Sequence, residues 1–462
     1  MKISVTNLGP IKAATVELGG LTVFVGPNGT GKSYLAKVIY GLQTIRTIID
    51  SSLSYDSRFF NTLFGREVST AEEALLLLQA LTPASIQQVI PALVNLHAEL
   101  FKDRLGEFFN DDSDMFNNTT ICYSDIPNLD EQRLEMVLNA AIKNTNESIN
   151  AQKDILLGGK LFLFCWSVFS AYGYGKVDYF PAARSNFMLT YKELYRARAD
   201  EHVGLGSVPF KGNNALGGIG SIPEFFDSKG NNARKMGSLI RFDRPTEDFI
   251  RHLYDLDTSK ENALSAIAAK LQKQLYGEEQ FLVEQPEGAF PDFRYQVRHS
   301  ENKIRLHLAS SMVTETSPIL MGLKYWVGPN SLVIIDEPES HLHPEAQRDL
   351  INVLADAINQ DLKVILITHS PYILSCINNL IKLQGLKEKF PDDADVQALL
   401  ANHPDMVPLE KQVCAYHFDP DGSVKNIVHT SGLIDEAEFT EPFDRINGLY
   451  ERMRDIEWEH RG

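Results

Sequence analysis

Eight residues near the start of the chain, Gly26-Pro27-Asn28-Gly29-Thr30-Gly31-Lys32-Ser33, constrain its fold more than any other feature. They follow Leu21-Thr-Val-Phe-Val25, a continuous apolar run suited to a buried strand, and precede a helical pattern from Tyr34 to Leu42. Strand, glycine loop and helix in that order are the setting a phosphate-binding loop requires. Glycines at 26, 29 and 31 let backbone N–H groups turn inward around phosphate oxygens, where a Cβ would obstruct them. Asn28 and Thr30 complete the loop's contacts with nucleotide. Lys32 sets a point charge against the β- and γ-phosphates of ATP, and the Ser33 hydroxyl is placed to coordinate Mg2+. The helix that starts there adds the positive end of its dipole. The competing reading, a mere glycine turn, leaves the strand, the lysine and the serine unexplained.

Two further apolar runs, Ser331 to Ile335 and Lys363 to Ile367, carry the strongest buried-strand signals in the chain. Between them Leu342, Ala346, Leu350, Val353, Leu354 and Ala357 recur at helical spacing, so the three segments form a βαβ unit and the sheet is at least partly parallel. The first run ends in Asp336-Glu337. A carboxylate at a strand end can hold magnesium through water, and its neighbour can polarise the attacking water, which assigns Asp336 to the metal and Glu337 to catalysis. A solvated acidic pair is the bland alternative. The second run ends in Thr368-His369-Ser370-Pro371, which brings the His369 imidazole to the same sheet edge to contact the γ-phosphate, unless it is a capping or core histidine.

The order of the glycine loop, Asp336-Glu-Pro-Glu-Ser-His-Leu-His-Pro344 and Thr368-His-Ser-Pro371 resembles ABC-type P-loop ATPases of the RecF/SMC/OLD group, among them AAA-family ATPases of bacterial anti-phage defence. Asn7-Leu-Gly-Pro-Ile11 and Phe180-Pro-Ala-Ala-Arg184-Ser185 look like the same group, so the resemblance spans roughly residues 1–45, 160–200 and 275–385. It implies an α/β, ABC-type fold with a mixed, partly parallel sheet, and ATP hydrolysis with Mg2+. It also implies head-to-tail self-association that traps ATP between subunits, with Ser340 to His343 as a dimer-contacting loop. Such proteins complete their partner's site with a signature helix. The matching segment is Ala309-Ser310-Ser311-Met312-Val313-Thr314-Glu315, so Ser310 and Ser311 are the nucleotide-contacting serines that the resemblance implies. Relatives commonly carry Ser-Ser-Gly; Met312 replaces that glycine and leads us to expect slow or partner-stimulated turnover.

Around this core the chain divides into segments. Residues 1–48, 158–202 and 271–462 read as ATPase core, 49–157 as a mainly helical insertion, and 203–270 as a glycine-rich loop with a helical insertion. Thr70-Ala-Glu-Glu73 reads as a capping box, and Ser85-Ile-Gln-Gln88 resembles another. Hairpins are expected around Leu8-Gly9-Pro10, around His299 to Asn302 with Leu306 and Leu308 in the second strand, and from Val413 to Ile427. An acidic helix is expected from Glu438 to the end. Arg184, Lys192, Arg196 and Arg198 could contact nucleic-acid phosphates or ATP, the blander reading being a solvated helix face. His341 and His343 lack a third metal ligand nearby. Asp419-Pro-Asp421-Gly422 could be a TOPRIM metal pair, but it is better turn chemistry, and too few residues follow it for a nuclease domain.

The formal net charge of −17 argues against a standing nucleic-acid binder and suits a basic protein partner. Four scattered cysteines fit buried thiols in a reducing compartment. The longest apolar stretch, Leu161 to Ala171, is shorter than a bilayer span and reads as a core helix. With no secretory leader in view, the expected location is cytoplasmic. The leading functional reading is a regulatory or sensor ATPase, a dimer or higher oligomer, that controls a separately encoded effector in anti-phage defence. The alternative is a RecF/SMC-like DNA repair or recombination ATPase, which makes nucleic acid an admissible rather than a required partner. A transporter motor would call for an LSGGQ-like signature that the sequence lacks.

Overall fold

The computed structural model describes residues 1–44, 57–66, 68, 71–111, 114–150, 176–203, 242–259, 261–285, 290–298, 300 and 302–459. Its centre is a six-stranded sheet built from β3 (Leu21–Val25), β5 (Val177–Phe180), β9 (Leu332–Asp336), β10 (Lys363–Ile367), β11 (Val413–Phe418) and β12 (Val424–Asn426), in the order β12-β11-β3-β10-β9-β5. All pairings are parallel except β11 with β12. The fold is α/β, with a mixed and mostly parallel sheet, as the βαβ pattern predicts.

The apolar runs of β3 and β9 do not alternate because both sheet faces are covered. Phe24, Leu332, Ile334, Ile365 and Ile367 face one core, which they share with the helix Lys32–Gln43. Val23, Val25, Val333, Ile335 and Leu366 face the other, filled by the helices Ser265–Tyr276, Ser311–Met321, Pro344–Asn359 and Pro371–Lys389.

Two smaller antiparallel sheets flank this centre. One joins β1 (Lys2–Leu8), β2 (Ile11–Glu17) and β4 (Thr120–Ser124) in the order β2-β1-β4; the other joins β6 (Gln280–Glu284), β7 (Asp292–Gln296) and β8 (Lys303–Arg305). β4 adds a strand to the mainly helical stretch 49–157. That stretch holds helices at Ser57–Phe64, Ala71–Ala80, Pro83–Lys102, Leu105–Phe109 and Glu131–Asn150, but it also returns a strand to β1, with Ile121 and Tyr123 buried.

Local expectations shift in three places. The second capping box belongs to Thr82, whose side chain accepts from the Ser85 N–H while Ser85 answers to the Thr82 N–H, so the helix starts at Pro83. Leu306 and Leu308 lie in a 3-10 turn rather than in the strand before it. The Asp419–Gly422 pair is a turn: the Gly422 N–H donates to the Asp419 carbonyl, with Gly422 at φ +88°. Thr70, His299, the Leu161–Ala171 stretch and the glycine-rich run after residue 203 lie outside the described residues. Among the described residues no helix is long and apolar enough to cross a membrane.

Candidate active site

Parallel pairing brings the C-terminal ends of β3, β10 and β9 to one edge, and each end carries a segment singled out in the sequence. The edge is stitched by backbone: the Thr368 N–H donates to the Phe24 carbonyl, and the Glu337 N–H to the Ile367 carbonyl. Gly26, Gly29 and Gly31 all have positive φ, at 132°, 76° and 96°. Only Gly29 is open in the way a phosphate cradle suggests. A Cβ on Gly26 would run into the Phe418 carbonyl, and one on Gly31 would lie 2.6 Å from Ile11 Cγ1. Two of the three glycines are therefore required by the protein's own strands and hairpin as much as by any ligand.

Asn28 is exposed, whereas the Thr30 hydroxyl turns inward and donates to the Pro27 carbonyl at 2.9 Å. Lys32 is buried and donates to the carbonyls of Gly26 (2.9 Å) and Pro27 (2.6 Å). Burial lowers its pKa to about 8, opposed by the nearby carboxylates of Asp336, Glu337 and Glu339. Asp336 is also buried; its Oδ2 accepts from the Ser33 hydroxyl (2.9 Å) and from the Tyr179 hydroxyl (2.8 Å). Burial raises the Asp336 pKa, and these two hydrogen bonds hold it back. A desolvated carboxylate beside a serine hydroxyl offers two hard oxygen donors, a set that fits Mg2+.

Glu337 takes a left-handed backbone, φ +49°, rare for a residue with a side chain. Its Oε2 accepts from the Ser340 hydroxyl at 3.0 Å. The His369 N–H donates to Glu339 Oε1 at 2.6 Å, which fixes the loop after β10 against the loop after β9. His341 is exposed, and His343 caps the helix Pro344–Asn359 by accepting the Glu345 N–H. Among the described residues no group of three or more His, Cys, Asp and Glu could hold a metal by itself.

Ser310 and Ser311 stand at the exposed start of the helix Ser311–Met321, where Ser310 Oγ accepts the Val313 N–H. The link from this helix to the sheet edge is Arg184. Its Nε donates to the Glu315 carbonyl (2.9 Å), Nη1 to the Asp336 carbonyl (2.8 Å) and Nη2 to the Glu337 carbonyl (3.1 Å). Its side chain is 0% exposed and pairs with Glu315 at 3.3 Å. Arg184 therefore contacts neither solvent nor a nucleic-acid surface, and Lys192 is tied to Asp292. Tyr179, Arg184 and Glu315 escaped the sequence reading as members of this cluster: each sits in a legible element, but nothing local announces what a polar atom will meet across the fold.

Residues 211–375 match the family described as "AAA domain, putative AbiEii toxin, Type IV TA system". The match covers less than half of the chain. It includes Ser310, Ser311, Asp336, Glu337 and His369, while the glycine loop at 26–33 lies outside it. Three crystal structures of Smc heads align along most of the chain. An Smc head bound to the C-winged helix domain of ScpA is 9% identical, covering 92% of this chain and 96% of its own, at a TM-score of 0.36. One from Pyrococcus furiosus, with an extended coiled coil and bound to the C-terminal domain of ScpA, is 10% identical (96% and 98% covered, 0.31). One from Pyrococcus yayanosii, with a coiled coil and joint, is 9% identical (96% and 99% covered, 0.34). No curated protein matches the chain.

Proposed function

We propose that the chain is a regulatory ATPase that binds and hydrolyses ATP with Mg2+, closes as a head-to-tail dimer or higher oligomer, and controls a separately encoded effector. The observation that carries the ATPase reading is the direct contact of Ser33 with Asp336, which joins the glycine loop to the carboxylate edge. Lys32 leaves its loop carbonyls for the β- and γ-phosphates, with Gly26, Asn28, Gly29, Thr30, Gly31 and Ser33 around them. Ser33 and Asp336 would hold magnesium, which would supply charge neutralisation at the phosphates. Glu337 accepts a proton from the attacking water, and His369 contacts the γ-phosphate. Ser310 and Ser311 of a second subunit complete the site, with Ser340 to His343 at the contact.

Regulation is supported by two surfaces. The exposed serine end of the helix Ser311–Met321 is free to meet another subunit. The helix Ala437–Glu459 holds Ile446, Leu449, Tyr450, Met453, Ile456 and Trp458 exposed, an apolar surface suited to a protein partner. The match to a family described as a putative AbiEii toxin supports a defence role, and the reading places the chain in the cytoplasm. We assign residues 49–157 and 203–270 as insertions on the ATPase core that carry the trigger- or effector-specific parts. The DNA-repair alternative loses support from Arg184, whose charge is spent inside the fold. Light scattering with and without ATP-Mg2+, on the chain alone and with the product of the adjacent gene, tests the reading. ATP-dependent dimers and a stable complex are expected; a monomer in every condition would overturn it.

A further inference from the structure

The guanidinium of Arg184 lies between two surfaces that serve different nucleotides, on the head-to-tail reading above. One is the carbonyl pair of Asp336 and Glu337, at the subunit's own site. The other is Glu315, in the second turn of the helix whose first turn offers Ser310 and Ser311 outward. We propose that Arg184 and Glu315 couple these two surfaces, so that the set of Glu337 at one site and the reach of Ser310–Ser311 into the partner's site change together.

Three features favour a coupling device over a plain strut. A buried ion pair is a poor way to add stability, because desolvation offsets most of the attraction and apolar packing would serve as well. The carbonyls it grips belong to the two carboxylate residues assigned to metal and water, and Glu337 sits in a backbone region that persists only where its surroundings fix it. The pair also keeps a second arrangement in reserve. Glu315 Oε1 accepts from the Ser185 hydroxyl, whereas buried Oε2, 3.3 Å from Arg184 Nε, accepts no hydrogen bond. A small slide of the helix would let Oε2 take a guanidinium N–H now given to a carbonyl, and the planar fork would carry that shift to Glu337.

The test is Glu315→Gln, which keeps shape and the Ser185 contact but removes the charge, with Arg184→Lys as a second variant that keeps charge and loses the fork. ADP affinity and melting temperature report the isolated subunit; the Hill coefficient for ATP and kcat report the coupling. Both variants should bind ADP within about 2-fold of the parent, while the Hill coefficient falls to about 1 and kcat drops about 10-fold, within the usual range of coupling energies. Unchanged cooperativity and kcat in both variants would overturn the proposal, as would losses that simply follow a lowered melting temperature. A parent chain that neither dimerises with ATP nor shows cooperativity would instead remove the dimer reading on which the coupling stands.

Discussion

The Ser33 hydroxyl donates a 2.9 Å hydrogen bond to Asp336 Oδ2, closing a contact between residues 303 positions apart. The same oxygen accepts from Tyr179, so one buried carboxylate oxygen joins the glycine loop, β9 and β5. A carboxylate that is desolvated and hydrogen-bonded on one side is held in a fixed direction before any cation arrives.

Tyr179 should therefore act on the metal rather than on the nucleotide. In Tyr179→Phe we expect the magnesium concentration for half-maximal ATP turnover to rise about 10-fold, the usual cost of losing an outer contact to a metal ligand. Affinity for metal-free ADP should stay as in the parent. A magnesium titration of turnover checks this, and an unchanged midpoint would show that Ser33 alone orients Asp336.

The lowered pKa of Lys32 gives two pH effects. Its folded value, about 8, lies below the ordinary 10.5, so the unfolded chain binds more protons between those values, and the penalty that burying this charge places on folding is relieved as pH rises across the window. Nucleotide phosphates favour the ammonium form, so ATP affinity should fall as pH rises through about 8. Calorimetry in buffers of different ionisation enthalpy should show proton uptake on binding near pH ~9 and little near pH ~7. Equal uptake at both would place the titration elsewhere.

Replacing Ser310 and Ser311 together by alanine should leave ADP binding to the single subunit intact and abolish ATP-driven association. The lost N-cap costs about 1 kcal/mol of helix stability, too little to unfold the chain. Light scattering distinguishes the outcomes: dimers that persist with ATP would remove these serines from the composite site.

Much of this site was legible in the sequence, because glycine loops, buried runs and helical spacing are local signals. Leu21–Val25, Leu332–Asp336 and Lys363–Ile367 announce themselves as strands, and their parallel pairing follows from the helix between the last two. What stayed hidden depends on contacts between distant segments. Thr120–Ser124 alternates over only five residues among polar neighbours, and its pairing with β1 becomes plain only in three dimensions. Arg184 looked like one more cation on a basic helix; its burial follows from the carbonyls that happen to end β9. In the sequence the glycines point to a ligand, yet Gly26 and Gly31 also answer to Phe418 and Ile11.

The most direct test of the account is single-turnover hydrolysis by Glu337→Gln beside the parent chain, with ATP binding measured on the same samples. The metal and phosphate contacts remain in this variant and only water activation is lost, so ATP should bind as in the parent while hydrolysis slows by about 10²–10⁴-fold. Hydrolysis at the parental rate would contradict the account, because the carboxylate at the end of β9 would then have no part in the chemistry.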